Sequence, residues 1–282
     1  MSDEFDLVLP SGRLHAQRFG DPRAPLVVCL PGLAGNIKNF DFIGERVAGG
    51  SLQLVALDLR GRGKSEKTPS GTYGWERHAR DVVAVADSLG FERFAAIGQS
   101  MGASVAIKVA GLYGARLDAV VLVDVAGRVD PGVGAVIALS LDHLGKVYES
   151  VDRYVDAKRS RGLVEPWTEY RQRSSCYGLE HVDGGVRSRT SLDAVLEDRA
   201  YTATQNPYDR WKYLTMPTLL LRATRELRPG SGYMVPANDR DAFLREVRKA
   251  TVVEVDANHL TINTHTDTAA AIRDFLSETN PR

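Results

Sequence analysis

Cysteine is scarce, neither sign of charge prevails, and no apolar run is long; each of these shortages removes a class of protein. The two cysteines, Cys29 and Cys176, stand far apart, with neither the close pairing that holds a metal nor the density of a disulfide framework. Cys29 lies in the apolar run LVVCL, which predicts a buried free thiol. The 36 basic residues balance 36 acidic ones, so nothing points to nucleic acid or an anionic membrane as a partner. No apolar stretch approaches the roughly 18 residues of a membrane span. The opening MSDEFDLVLP lacks the basic-then-apolar pattern of a secretory signal. The expectation is a soluble, cytoplasmic protein that acts on a small molecule.

What is present is order. Within 282 residues, short runs rich in Val, Leu and Ile alternate with amphipathic stretches. Strands are predicted at 5–10, 14–19, 25–30, 52–58, 94–98, 118–124, 217–222 and 250–256, and helices at 37–48, 75–89, 101–113, 238–249 and 267–277. Most of the strands lack polar alternation, as strands buried on both faces do. Strand–helix repetition predicts an α/β fold with a mostly parallel sheet flanked by helices, and the first two strands read as an antiparallel hairpin at one edge. From about 130 to 208 no buried strand is legible, and the run is too long for a plain loop. It reads as a helical cap inserted into a core formed by 1–129 and 209–282.

The stretch AAIGQSMGASVA (95–106) places Ser100 between Gly98 and Gly102, where the strand FAAIG turns into a helix. A serine at such a turn takes strained backbone geometry, and glycines two positions away on each side remove Cβ atoms that would clash. This is the nucleophile elbow. The position also sets Ser100 at a helix N-terminus, where N–H groups stabilise developing negative charge. The plainer alternative is that Ser100 caps the helix.

Four segments in order, LPGLAGN (30–36), DLRGRGKS (58–65), GQSMG (98–102) and DANHLT (256–261), make the chain resemble the α/β-hydrolase superfamily over nearly all its length outside 130–208. The resemblance implies an eight-stranded sheet and a serine hydrolase that needs neither cofactor nor metal. It implies an oxyanion hole at the backbone N–H groups of Leu33 and Met101, although Pro31-Gly32 stands where relatives commonly have His-Gly. The Gly63-Lys64-Ser65 within the second segment is no phosphate loop, because Asp58 occupies the position of its first glycine and no helix follows directly.

Of six histidines, His259 follows the last strand, where the family carries its catalytic base, with Asn258 in place of the usual glycine; His265 is the competitor. His78 falls in a helix and His143 and His181 in the inserted segment, where solvated or packing roles fit. The family's acid usually follows the strand PTLLLR, which points to Glu226, and some members use the preceding strand's end, here Asp124. Glu226 has Arg222, Arg225 and Arg228 as nearby partners. Asp124 ends an apolar strand with no charged neighbour from 119 to 127, and a carboxylate there needs a partner such as an imidazole N–H. Asp124 is therefore chosen, with Glu226 as the alternative.

The activity so implied is cleavage of a small carboxylic ester through an acyl-enzyme on Ser100. Thioester cleavage, carbon–carbon bond hydrolysis of a β-diketone, and a receptor that keeps only the pocket are the alternatives. Enzymes of the superfamily with Asp at the elbow are excluded by Ser100. In the inserted segment Trp167, Tyr170, Tyr177 and Tyr201 are read either as an aromatic acyl pocket or as the segment's own core. No basic cluster marking a phosphate-bearing substrate is evident there.

Overall fold

The apolar runs without alternation are strands with a hydrophobic core on each side. The structure, a computed structural model, describes residues 2–49 and 51–279; residues 1, 50 and 280–282 of the expected core stretches lie outside these. The chain opens with β1 (Ser2–Leu9) and β2 (Gly12–Phe19), an antiparallel hairpin, followed by β3 (Leu26–Leu30). Next come α1 (Asp41–Val47), β4 (Gln53–Leu57), α2 (Trp75–Ser88), β5 (Phe94–Gln99), α3 (Met101–Tyr113) and β6 (Leu117–Val123). A long segment then carries α4 (Val133–Leu141), β7 (Val147–Tyr148), α5 (Val151–Arg159), α6 (Glu169–Tyr177), β8 (Leu179–Val182), β9 (Gly185–Ser188) and α7 (Leu192–Ala203). The chain returns through β10 (Thr218–Ala223), α8 (Ala237–Glu246), β11 (Ala250–Val255) and α9 (Thr266–Thr279).

The eight long strands form one sheet in the order β1-β2-β4-β3-β5-β6-β10-β11. Only the β1–β2 and β2–β4 pairs are antiparallel; the others run parallel. Period-two geometry divides each strand between two cores. In β3, Leu26, Val28 and Leu30 face one side with α2, α3 and α8, while Val27 and Cys29 face the other with α1 and α9. Burying such Val or Leu side chains is worth about 1.5–3 kcal/mol each. Cys29 is a free, fully buried thiol, and burial pushes its pKa up so that it stays protonated. α2 shows the complementary pattern, burying Trp75, Ala79, Val82, Val83 and Ala86 while Glu76, Arg77, Arg80 and Asp87 face outward.

The segment between β6 and β10 departs from the all-helical expectation. It holds four helices and also a three-stranded antiparallel sheet, β7-β9-β8. Its strands have two to four residues, too few for alternation to register in the sequence. The Asp183-Gly184 turn that joins β8 to β9, with Gly184 at φ +84°, is the one local signal of the hairpin. Three of the helices start on side-chain caps: Ser150, Thr168 and Ser191 accept hydrogen bonds from the N–H groups of Arg153, Arg171 and Ala194.

Because β3, β5, β6, β10 and β11 are parallel, their carboxyl ends share one edge of the sheet. The chain leaves β3 toward β4 on one side and later enters β5 on the other. This reversal opens a crevice at the carboxyl edge, the usual ligand position in open α/β sheets. No helix of the described residues is long and apolar enough to cross a membrane.

Candidate active site

Ser100 occupies the one-residue turn between β5 and α3 at φ 55°, ψ −121°. Its N–H donates to the carbonyl of Val123 at 3.2 Å, which ties the turn to the end of the neighbouring strand. The flanking glycines are required by close approach: a Cβ at Gly98 would run into the backbone of Gly102, and one at Gly102 into the carbonyl of Leu30. No side-chain capping bond is made by Ser100, so its hydroxyl is not committed to the helix.

Asp124 follows β6 and, with Ser100, is one of two non-glycine residues at positive φ among the described residues. Its N–H donates to Leu221 O at 2.8 Å, and its Oδ1 accepts the Ala223 N–H at 2.9 Å. Its Oδ2 lies 3.0 Å from Nδ1 of His259. Both side chains are nearly sealed from solvent, at 1% and 5% exposure, which strengthens the pairing. His259 is held from two further sides. Its carbonyl accepts from Nε2 of Gln99 at 3.4 Å, and Asn258 shapes the turn by accepting the N–H groups of Leu260 and Thr261 on its own Oδ1. Asn258 thus forms an Asx turn at the position where a glycine is usual.

The alternatives lie elsewhere. Glu226 accepts the N–H groups of Gly230 and Gly232 at 2.7 and 2.9 Å, so its carboxylate closes its own loop. The arginines expected to pair with it do not: Arg222 pairs with Glu254 and Arg225 with Asp256. His265 sits at the start of α9, where Nδ1 accepts the Asp267 N–H. His78 is buried against Asp198, and His181 is exposed on β8.

After β3, the loop bearing Leu33 runs alongside the serine; a Cβ on Gly32 would lie 3.2 Å from Cβ of Ser100. Among the described residues the N–H groups of Leu33 and Met101 have no hydrogen-bond acceptor. The Leu33 carbonyl accepts from Nε of Arg62, whose guanidinium also pairs with Asp198 at 2.6 Å. Asp198 in turn meets Nε2 of His78 at 3.0 Å and the N–H of Gly74 at 2.7 Å. Burial alone would raise the Asp198 pKa, but His78, Arg62 and the Gly74 N–H outweigh it and hold the carboxyl at about 2. Nearby, buried Asp58 accepts from Ile37 N–H, Lys64 N–H and the Tyr177 hydroxyl. The charges of DLRGRGKS therefore brace the loop bearing Leu33 and join it to α6 and α7.

Ser100, His259, Gln99 and Leu33 line a single cavity of about 120 Å³. The segment between β6 and β10 supplies much of the remaining wall, including His143, Tyr154, Lys158, Arg171 and Ser175. This decides against one of the two readings of the aromatics and corrects one expectation. Trp167, Tyr170, Tyr177 and Tyr201 do not line the cavity: Trp167 packs within the segment, Tyr170 against Phe42, Tyr201 against Trp75, and Tyr177 binds Asp58. A basic cluster is present after all, assembled from positions on separate elements. His143, for which the sequence suggests a solvated or packing role, belongs to that wall, and burial with Lys158 and Arg161 nearby lowers its pKa to about 3.

A family model described as the alpha/beta hydrolase fold matches residues 25–265. A serine hydrolase-like protein of Danio rerio is 26% identical over 99% of this chain and 90% of its own length. The N-formylmaleamate deformylase of Pseudomonas putida is 36% identical over 98 residues, 35% of this chain and 36% of the deformylase. Among solved structures, E-2-(acetamidomethylene)succinate hydrolase superposes with a TM-score of 0.86 at 20% identity, covering 98% of this chain and all of the other.

Proposed function

Because the chain belongs to the alpha/beta hydrolase fold family, we propose that it is a serine hydrolase that transfers the acyl group of a small carboxylic ester to water. Nε2 of His259 takes the hydroxyl proton as Oγ of Ser100 attacks the carbonyl carbon. The oxyanion settles on the N–H groups of Leu33 and Met101, which are free to donate. Collapse expels the alkoxide, which leaves with the proton from Nε2. Water then attacks the acyl-enzyme, giving its proton to His259, and the acid departs as Ser100 regains its hydrogen. Asp124 holds the Nδ1 proton throughout, so that Nε2 faces the reaction as a base.

The observation that carries this reading is the buried 3.0 Å contact of His259 with Asp124 in a residue pair whose imidazole lines the same cavity as Ser100. In this reading 130–208 is a cap over a core of 1–129 and 209–282. A second reading, cleavage of a carbon–nitrogen bond of an amide, is favoured by the similarity to the deformylase.

The test combines labelling with turnover. A fluorophosphonate should modify the wild-type protein at Ser100, and Ser100→Ala should abolish both labelling and p-nitrophenyl acetate hydrolysis, by roughly a million-fold in kcat. Asp124→Asn, which fixes the wrong tautomer of His259, should cost about 10⁴. An unlabelled wild type, or undiminished turnover by Ser100→Ala, would sink the proposal.

A further inference from the structure

The cavity that holds Ser100 is rich in cationic groups and has no acid to match them. Lys158 on α5 and Arg171 on α6 both line it, and among the described residues no Asp or Glu side chain does. Among the described residues neither cation has an ion pair. Among the described residues the Lys158 ammonium meets only Tyr154, its hydroxyl at 3.4 Å and its ring face at 5.2 Å, and the buried Nε of Arg171 has no partner. Two further polar atoms in the lining are buried and unpartnered: Nδ1 of His143, in a residue 5% exposed, and Oγ of Ser175, in a residue 3% exposed. Arg161, close by, is already neutralised by Asp142.

Unpaired cations partly withdrawn from water, as Lys158 and Arg171 are, are costly, and buried polar atoms are normally satisfied. Burial, with Arg171 and Arg161 adding repulsion, pushes the Lys158 pKa well below the ordinary ammonium value. Each deficit is one that a bound anion removes. We propose that the substrate carries a carboxylate, which is held by Lys158 and Arg171 while its scissile carbonyl lies at Ser100. A carboxylate fits better than a phosphate-bearing carrier: the cavity is about 120 Å³, and a guanidinium fork matches a planar carboxylate. His143 and Ser175 complete the polar surround. The substrate class is thus a small half-ester or half-amide of a dicarboxylic acid.

This inference rests on Ser100 acting as a nucleophile, yet the carboxylate seat has a readout of its own. For wild type, kcat/KM for monomethyl succinate should exceed that for uncharged methyl butyrate by roughly 10–100-fold. Lys158→Met and Arg171→Met should bring that ratio toward one, and Arg171→Lys should restore part of it. Separately, millimolar succinate should raise the melting temperature of the non-reactive Ser100→Ala protein, while neutral succinamide does not. Adding Lys158→Met or Arg171→Met to that background should remove the shift. Equal use of the two esters, a succinate shift that survives both substitutions, or an equal shift with succinamide each overturns the carboxylate seat. If the wild type resists the fluorophosphonate yet shows the succinate shift, the hydrolase reading fails and the seat stands.

Discussion

The segment between β6 and β10 contributes to two groups of ionisable side chains, and they are built on opposite terms. In the first, Arg62, His78 and Asp198 are completely withdrawn from solvent, and one carboxylate answers both bases and a backbone N–H. In the second, Lys158, Arg171 and His143 approach one another around the cavity with no carboxylate among its lining residues. The first closes its ion pairs internally, with only Nδ1 of His78 lacking a partner among the described residues, and fixes α7 to the turn that supports Leu33. The second leaves its electrostatics open where a ligand enters. A buried charge that is fully paired reads as architecture, whereas one left without a partner beside a nucleophile reads as recognition.

The sharpest way to break this contrast is to remove the shared acid. Asp198→Ala leaves Arg62 and His78 stranded, and the unfolding free energy from urea titration should fall by about 3–5 kcal/mol. A milder perturbation is pH. The Asp198 carboxyl is held at about 2 in the folded protein, below its ordinary 3.8. Its contribution, about 2 kcal/mol, is therefore full above pH 4 and lost as the pH falls through 2. The stability difference between wild type and Asp198→Asn should narrow over that range; a constant difference would mean the carboxylate is not the titrating link. Smaller still, Tyr177→Phe deletes one hydrogen bond to Asp58 and should cost about 1.5 kcal/mol in the same assay. At the open group the sign reverses. Lys158→Met with Arg171→Met should leave stability within about 1 kcal/mol of wild type, on the favourable side, because two uncompensated, half-buried cations are removed. A large loss there would make the second group architectural as well.

The sheet was legible because its strands are buried on both faces, so runs such as LVVCL and DAVVLV stand out without help from alternation. In the candidate site, Ser100 is singled out in sequence by glycines that admit no Cβ, and Asp124 by its isolation in an apolar run. For Glu226 the sequence offers neighbouring arginines as partners, although the groups that satisfy it are backbone N–H donors, which carry no sequence signal. The small sheet escaped because a two-residue strand has no period, and only Asp183-Gly184 hinted at it. The cationic wall was illegible for a different reason. Position 143 lies in the turn after α4, 158 on α5 and 171 on α6, and each polar side chain alone reads as part of a solvated face. Only the packing of α5 against α6, with His143 stacked edge-on to Tyr154, brings them to one place.

The backbone at residue 100 has a consequence for anyone who would improve the protein. Its φ of 55° suits glycine, and the serine hydroxyl makes no capping bond that glycine would forfeit. Ser100→Gly should therefore gain about 1 kcal/mol by relaxing the turn. A library ranked on heat tolerance alone would drift toward that variant, and shelf life and turnover would pull one codon in opposite directions.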